Sequence, residues 1–152
     1  MKVELRSLKV HRDLSEETTA FSAVVFIDGT KAGDASNRGT GGQTDVWITD
    51  PQLRRSFEDW VVEQPPHALG ALSLPLTPDL VIDLLVEEAE LAKEYRRMCR
   101  NKTVFRFKGA PADEWREISV PFTPHIKAKV LEKHGDKIEE FLNDRIEGSA
   151  GR

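Results

Sequence analysis

A single cysteine, Cys99, occurs among the 152 residues, so neither an intrachain disulfide nor a multi-cysteine zinc site can form. Cysteine usage this sparse predicts a reducing, cytosolic setting. No stretch approaches the roughly 20 consecutive apolar residues of a membrane span, and no membrane partner is expected. The opening, MKVELRSLKV, alternates charged with apolar residues, unlike a secretory leader or a lipidation signal. The four histidines, His11, His67, His125 and His134, include no pair at helical metal-ligand spacing, so no metal site is expected. Nucleophile elbow, P-loop, dinucleotide fingerprint and kinase signatures are all missing. Neither a catalytic residue nor a cofactor is therefore assigned. Internal repeats and low-complexity tracts are absent too.

What is present is a charged globule: 39% of residues are apolar, 32% are charged, and the mean hydropathy is −0.45. A chain of this length buries roughly 70% of its unfolded surface, enough for one core without covalent staples. A single domain over 1–147 is expected, with a possible hinge at 64–76, where three prolines and a glycine fall, and a frayed tail at 148–152. The net charge of −4 hides an imbalance. The window from Lys93 to Lys108 holds seven basic residues and one acid, a local +6, which leaves −10 for the rest. One concentrated basic segment in a mildly acidic protein is a candidate anion site.

Alternation predicts strands over the first third. Val3 and Leu5 share one parity and Leu8 and Val10 the other, which places a bulge near Arg6–Ser7. Thr18 to Ile27 is rich in β-branched and aromatic residues, and Asp28–Gly29 reads as a hairpin turn into Lys31–Asn37. A glycine-rich loop, 38–44, precedes a short strand at Val46–Ile48. Three helix starts are marked by a capping residue before proline: Asp50–Pro51, Thr77–Pro78 and Thr123–Pro124. The second of these helices, Pro78 to about Asn101, is the longest. Its stripe is Val81, Leu84, Leu85, Glu88, Leu91, Ala92, Tyr95 and Met98, with Asp79, Asp83, Glu87, Glu90 and Glu94 on a solvated face. A second hairpin spans Thr103–Lys108 and Trp115–Val120. The third helix stops at Gly135, after which Asp136 and Glu139 form a capping box that predicts a final helix carrying Ile138, Phe141, Leu142 and Ile146. The fold class is α+β, an antiparallel meander and a second hairpin packed with three to four helices.

Two segments are candidate binding elements. Five of the ten glycines lie between Gly29 and Gly42. Amides around Gly39, Gly41 and Gly42 can form an anion-binding nest with Arg38 supplying charge, although a flexible hairpin loop explains the same residues. On the basic strand, Phe105 and Phe107 share one face and Arg106 and Lys108 the other. Rings beside cations suit a nucleotide or single-stranded nucleic acid, while a hydrophobic core face accounts for the rings equally well. Cys99 among Arg96, Arg97 and Arg100 would be an activated thiol if exposed and an inert small hydrophobe if buried.

The stretches Ser15-Glu16-Glu17-Thr18, Ala20-Phe21-Ser22-Ala23, Asp28-Gly29-Thr30-Lys31-Ala32-Gly33, Asn37 and Gly39-Thr40-Gly41-Gly42 resemble the opening of small proteins encoded by phages and bacterial mobile elements. Asn101 to Gly109 and Lys133 to Ile138 resemble that group's later strand and final helix break. No activity attaches to the group, so the resemblance transfers no catalytic residue. It implies an accessory protein working in the bacterial host cytoplasm.

Two functions follow. The first is a non-enzymatic module that holds a phosphate-bearing ligand, nucleotide or nucleic acid, through Arg38, Gly39, Gly41, Gly42, Arg106 and Lys108. The alternative is a protein-interaction module, such as an inhibitor of a host protein. In that reading the acidic face of the long helix meets a basic partner.

Overall fold

The computed structural model describes residues 1–150 and has the α+β architecture that the pattern predicts. Contacts group the chain into two compact units, Met1–Glu88 and Ala89 onward. The division falls inside one helix and not within 64–76.

In the first unit, β1 (Val3–Val10), β2 (Phe21–Ile27), β3 (Thr30–Asn37) and β4 (Asp45–Ile48) form an antiparallel sheet in sequence order. The register slips between Arg6 and Lys9, with Ser7 at φ +52°, where the change of parity places a bulge. Asp28 and Gly29 both adopt positive φ, the conformation a two-residue hairpin demands. Along β2, Phe21, Ala23, Val25 and Ile27 are buried, while Ser22 is exposed. Against that inner face pack Phe57 and Val61 of α1 (Pro51–Glu63), with Val81, Ile82 and Val86 of α2 (Pro78–Met98). The inner stripe of α2 is thus rotated from the predicted one: Ile82 and Val86 are buried, and Leu91 is exposed.

All three expected helix starts are present. Asp50 accepts from the Gln52 amide at 2.8 Å, Thr77 from Leu80 at 3.4 Å and Thr123 from Ile126 at 3.2 Å. Between α1 and α2, where a bare linker is expected, β5 (His67–Leu69) and β6 (Leu72–Leu74) form a hairpin of their own around Gly70.

The second unit is built on β7 (Thr103–Phe107), which lies between β8 (Arg116–Ile118) and β9 (Ile138–Phe141). Helix α3 (Pro124–His134) ends at Gly135, which takes φ +55°. Phe105, Val130, Ile138 and Phe141 form its core. Residues 138–141 are a correction to the sequence reading, which puts them in a helix. A capping box contributes about 1 kcal/mol. Here it is outweighed by pairing with the β7 edge, which buries Ile138 and Phe141 and sets Glu140 opposite Arg106. The last helix, α4 (Leu142–Ala150), begins only after that strand, so the expected fraying from 148 falls within a helix. The remainder of the predicted tail, Gly151 and Arg152, lies outside the described residues. Among the described residues no helix is long and apolar enough to cross a membrane.

Candidate functional site

The glycine-rich loop is built around Asn37, the last residue of β3. Its side-chain oxygen accepts from the Gly39 amide at 2.8 Å and the Thr18 hydroxyl at 2.9 Å. Its amide group donates to the Gly42 carbonyl at 3.1 Å and the Thr44 hydroxyl at 2.9 Å. Thr44, itself buried, donates to the Asp83 carboxylate of α2 at 2.5 Å. The Gly41 amide donates to the Thr18 hydroxyl at 3.3 Å. The bonds from Gly41 through Thr18, Asn37 and Thr44 are donated in one direction, so each polarises the next toward Asp83, while the bond to the Gly42 carbonyl branches off.

Neither Gly39 nor Gly41 therefore offers its amide to a ligand. A nest of consecutive amides does exist nearby, at Glu16, Glu17 and Thr18, and the Gly39 carbonyl fills it at 2.9, 3.0 and 3.3 Å. Gly39 is also buried, with φ +84°. The glycines serve loop closure, a requirement for positive φ and close approach that nest formation shares. Spacing alone does not separate the two.

Beside this loop lies a cleft of about 470 Å³. Four carboxylates line it: Glu16 and Glu17 from the turn after β1, and Asp83 and Glu87 from α2. Phe21 and Val86 form an apolar wall, and Ser15, Thr18 and Thr19 add hydroxyls. Among the described residues no cationic side chain lines the cleft, and none of the four carboxylates has an ion-pair partner. Nor does any group of three or more His, Cys, Asp and Glu side chains among the described residues have the geometry to hold a metal ion. Asp83 corrects the sequence reading, which puts it on a solvated helix face. The signal that helical periodicity misses is Thr44, 39 residues away in sequence.

Asp83 is held above the ordinary carboxylate range, chiefly by burial; the Thr44 hydrogen bond opposes that shift and the nearby Asp79 charge adds to it. A folded-state pKa above the unfolded one means that the folded chain binds more protons between the two values. Its stability consequently falls as pH rises from about 4 through the raised pKa, and the ionised carboxylate is a net cost at neutral pH. Asp83→Asn keeps an acceptor for Thr44 and removes the charge. Urea unfolding of both proteins at pH 4 and pH 7 should show the variant gaining stability relative to wild type at the higher pH. An identical difference at both values would contradict the assignment.

In the second unit the predicted basic strand is largely engaged. Arg106 donates to Glu140 at 2.7 Å, which Arg145 also contacts at 2.6 Å, and its guanidinium lies 5.5 Å from the centre of the Trp115 ring. Burial raises the Glu140 carboxyl, but the hydrogen bonds and charges of Arg145 and Arg106 outweigh it and hold the group below the ordinary range. Phe105 is buried, and Phe107 packs partly against the same core, so the rings are core residues and not a stacking platform. Lys102 is paired with Glu117 at 2.7 Å.

Lys108 and Arg38 are exposed. Arg38 and the glycine loop belong to the first unit, and Arg106 and Lys108 to the second. Arg96 and Arg100 line a separate cleft of about 320 Å³ with Cys99 and Phe122, and neither is ion-paired among the described residues. Burial pushes the Cys99 thiol up, so these arginines do not activate it.

Comparison with known proteins gives no match: no family model, curated sequence or solved structure is significantly similar to the chain.

Proposed function

We propose that the chain is a non-enzymatic protein-interaction module whose acidic cleft receives a basic side chain of its partner. The single observation behind this reading is the set of four carboxylates, Glu16, Glu17, Asp83 and Glu87, lining one cleft without a cationic partner among the described residues. A lysine or arginine suits the cleft: its charged head meets the carboxylates, while Phe21 and Val86, each 2% exposed, close the floor behind them. Such a contact contributes specificity and association rate as well as affinity. The partner belongs to the bacterial host if the phage resemblance carries over.

A phosphate-bearing ligand is the second reading, moved to the basic segment's own cleft. It rests on Arg96 and Arg100, which lack ion-pair partners among the described residues. At the glycine loop, carboxylates opposite the amides disfavour any anion.

One titration separates the two. A short arginine-rich peptide and a nucleoside triphosphate are each titrated into the full chain by calorimetry. The first reading expects the peptide to bind, and Glu17→Gln with Glu87→Gln to weaken it by about tenfold or more. Glu63→Gln, on the exposed end of α1, should leave it unchanged. Nucleotide binding that is lost in Arg96→Glu with Arg100→Glu, together with no peptide binding, would overturn the first reading and support the second.

A further inference from the structure

The outer face of the first sheet has a different chemistry from the acidic cleft. Because β2 turns Phe21, Ala23, Val25 and Ile27 inward, its outward residues are Ser22, Val24 and Phe26. The strand register then aligns two rows across the outer face. One row runs Lys9, Ser22, Ser36 and Asp45. The next runs Arg6, Val24, Asp34 and Trp47. Trp47 is 66% exposed, an unusual position for the largest side chain on a short strand that helps to close a core. It borders a depression of about 380 Å³ floored by these rows.

We propose that this face binds a neutral saccharide, with the Trp47 indole as its stacking platform. A pyranose ring presents an apolar face of C–H groups and a rim of hydroxyls. The depression offers the complement: a flat aromatic surface at one side, with Asp34, Asp45, Ser22, Ser36 and Lys9 as acceptors and donors around it. Of the residues that line the depression two are carboxylates and one an ammonium, while Arg6, at the end of the second row, lies over the Phe26 ring outside the lining, and this balance disfavours a phosphate or sulfate ligand. A protein partner is disfavoured by the same residues, because serine, aspartate and lysine are depleted from interface cores.

The backbone beneath the platform is closely packed. A Cβ on Gly33 would lie 1.8 Å from the Trp47 carbonyl oxygen, so glycine at this position lets β4 approach β3 closely and fixes the tryptophan's backbone. Asp34, directly across from Trp47 in the register, is placed to accept from hydroxyls of a ring stacked on the indole.

The test uses the full chain, fluorescently labelled, on an array of neutral and charged oligosaccharides. The strongest ligand is then titrated by calorimetry. The expected result is a neutral oligosaccharide bound about tenfold more weakly by Trp47→Ala, and nearly as well by Trp47→Phe, which keeps an aromatic face. Asp34→Ala should also weaken it, which serves as a second reading if the tryptophan variant folds poorly. Glu17→Gln with Glu87→Gln should bind it unchanged, since that cleft is a separate site. An empty array, binding of charged glycans only, or affinity insensitive to both Trp47→Ala and Asp34→Ala would overturn the proposal. Capture of a protein through Trp47, without saccharide binding, would overturn it in favour of an interface.

Discussion

Gly39→Ala is expected to lower the unfolding free energy by about 3 kcal/mol or more in urea denaturation. Two independent effects add. Alanine at φ +84° costs on the order of 1–3 kcal/mol of backbone strain. A Cβ there would also stand 2.2 Å from the Leu14 carbonyl oxygen and 2.8 Å from the Ala20 Cβ, so backbone on the opposite side of the loop must shift. That shift would disturb the three amides of Glu16, Glu17 and Thr18 that share the Gly39 carbonyl. Gly42→Ala is the internal comparison. Its Cβ would meet nothing within 4 Å, and a change within about 0.5 kcal/mol is expected. Equal losses at both positions would mean that the loop is not held by Gly39.

Asn143→Ala should destabilise the protein by about 2–3 kcal/mol. This buried side chain accepts from the Val104 amide at 2.8 Å and donates to the Lys102 carbonyl at 2.9 Å. It thereby satisfies two backbone groups at the start of β7, 39 and 41 residues away in sequence. Alanine leaves both groups without that partner and opens a small void. The neighbouring Asp144→Ala removes only an exposed ion pair with Lys127, and should change stability by less than about 1 kcal/mol. If the two variants are equally stable in the same denaturant series, the role given to Asn143 is wrong.

Local signals in the sequence specify most of the elements. Asp50, Thr77 and Thr123, each before a proline, mark helix starts because capping and a fixed φ act within one turn. Asp28–Gly29 and the parity change at Arg6–Ser7 are equally local. The elements that escape depend on partners far along the chain. Ile138–Phe141 carries a legitimate capping pattern, yet the open edge of β7 offers a ladder that no local preference reports. Likewise β5 and β6 sit in a segment whose prolines and glycine read as a bare linker.

The candidate site follows the same division. The unusual loop at Gly39–Gly42 is visible in composition. Its use is not, because Asn37 at the end of β3 and Thr18 in the turn before β2 engage its polar groups, and Thr44 joins it to Asp83 of α2. Asp83 reads as one more acid on a helical face, and its burial and its bond to Thr44 set it apart. Arg106, read as a ligand residue, instead meets Glu140 from the strand that the sequence hides.

The most direct test of the acidic cleft is a titration of the isotope-labelled chain with the arginine-rich peptide, followed by amide chemical-shift mapping. The account predicts saturable shifts at Glu16–Thr19, Gly42 and Asp83–Glu87, diminished in Glu17→Gln with Glu87→Gln. Shifts confined to other surfaces, or none at saturating peptide, would contradict it.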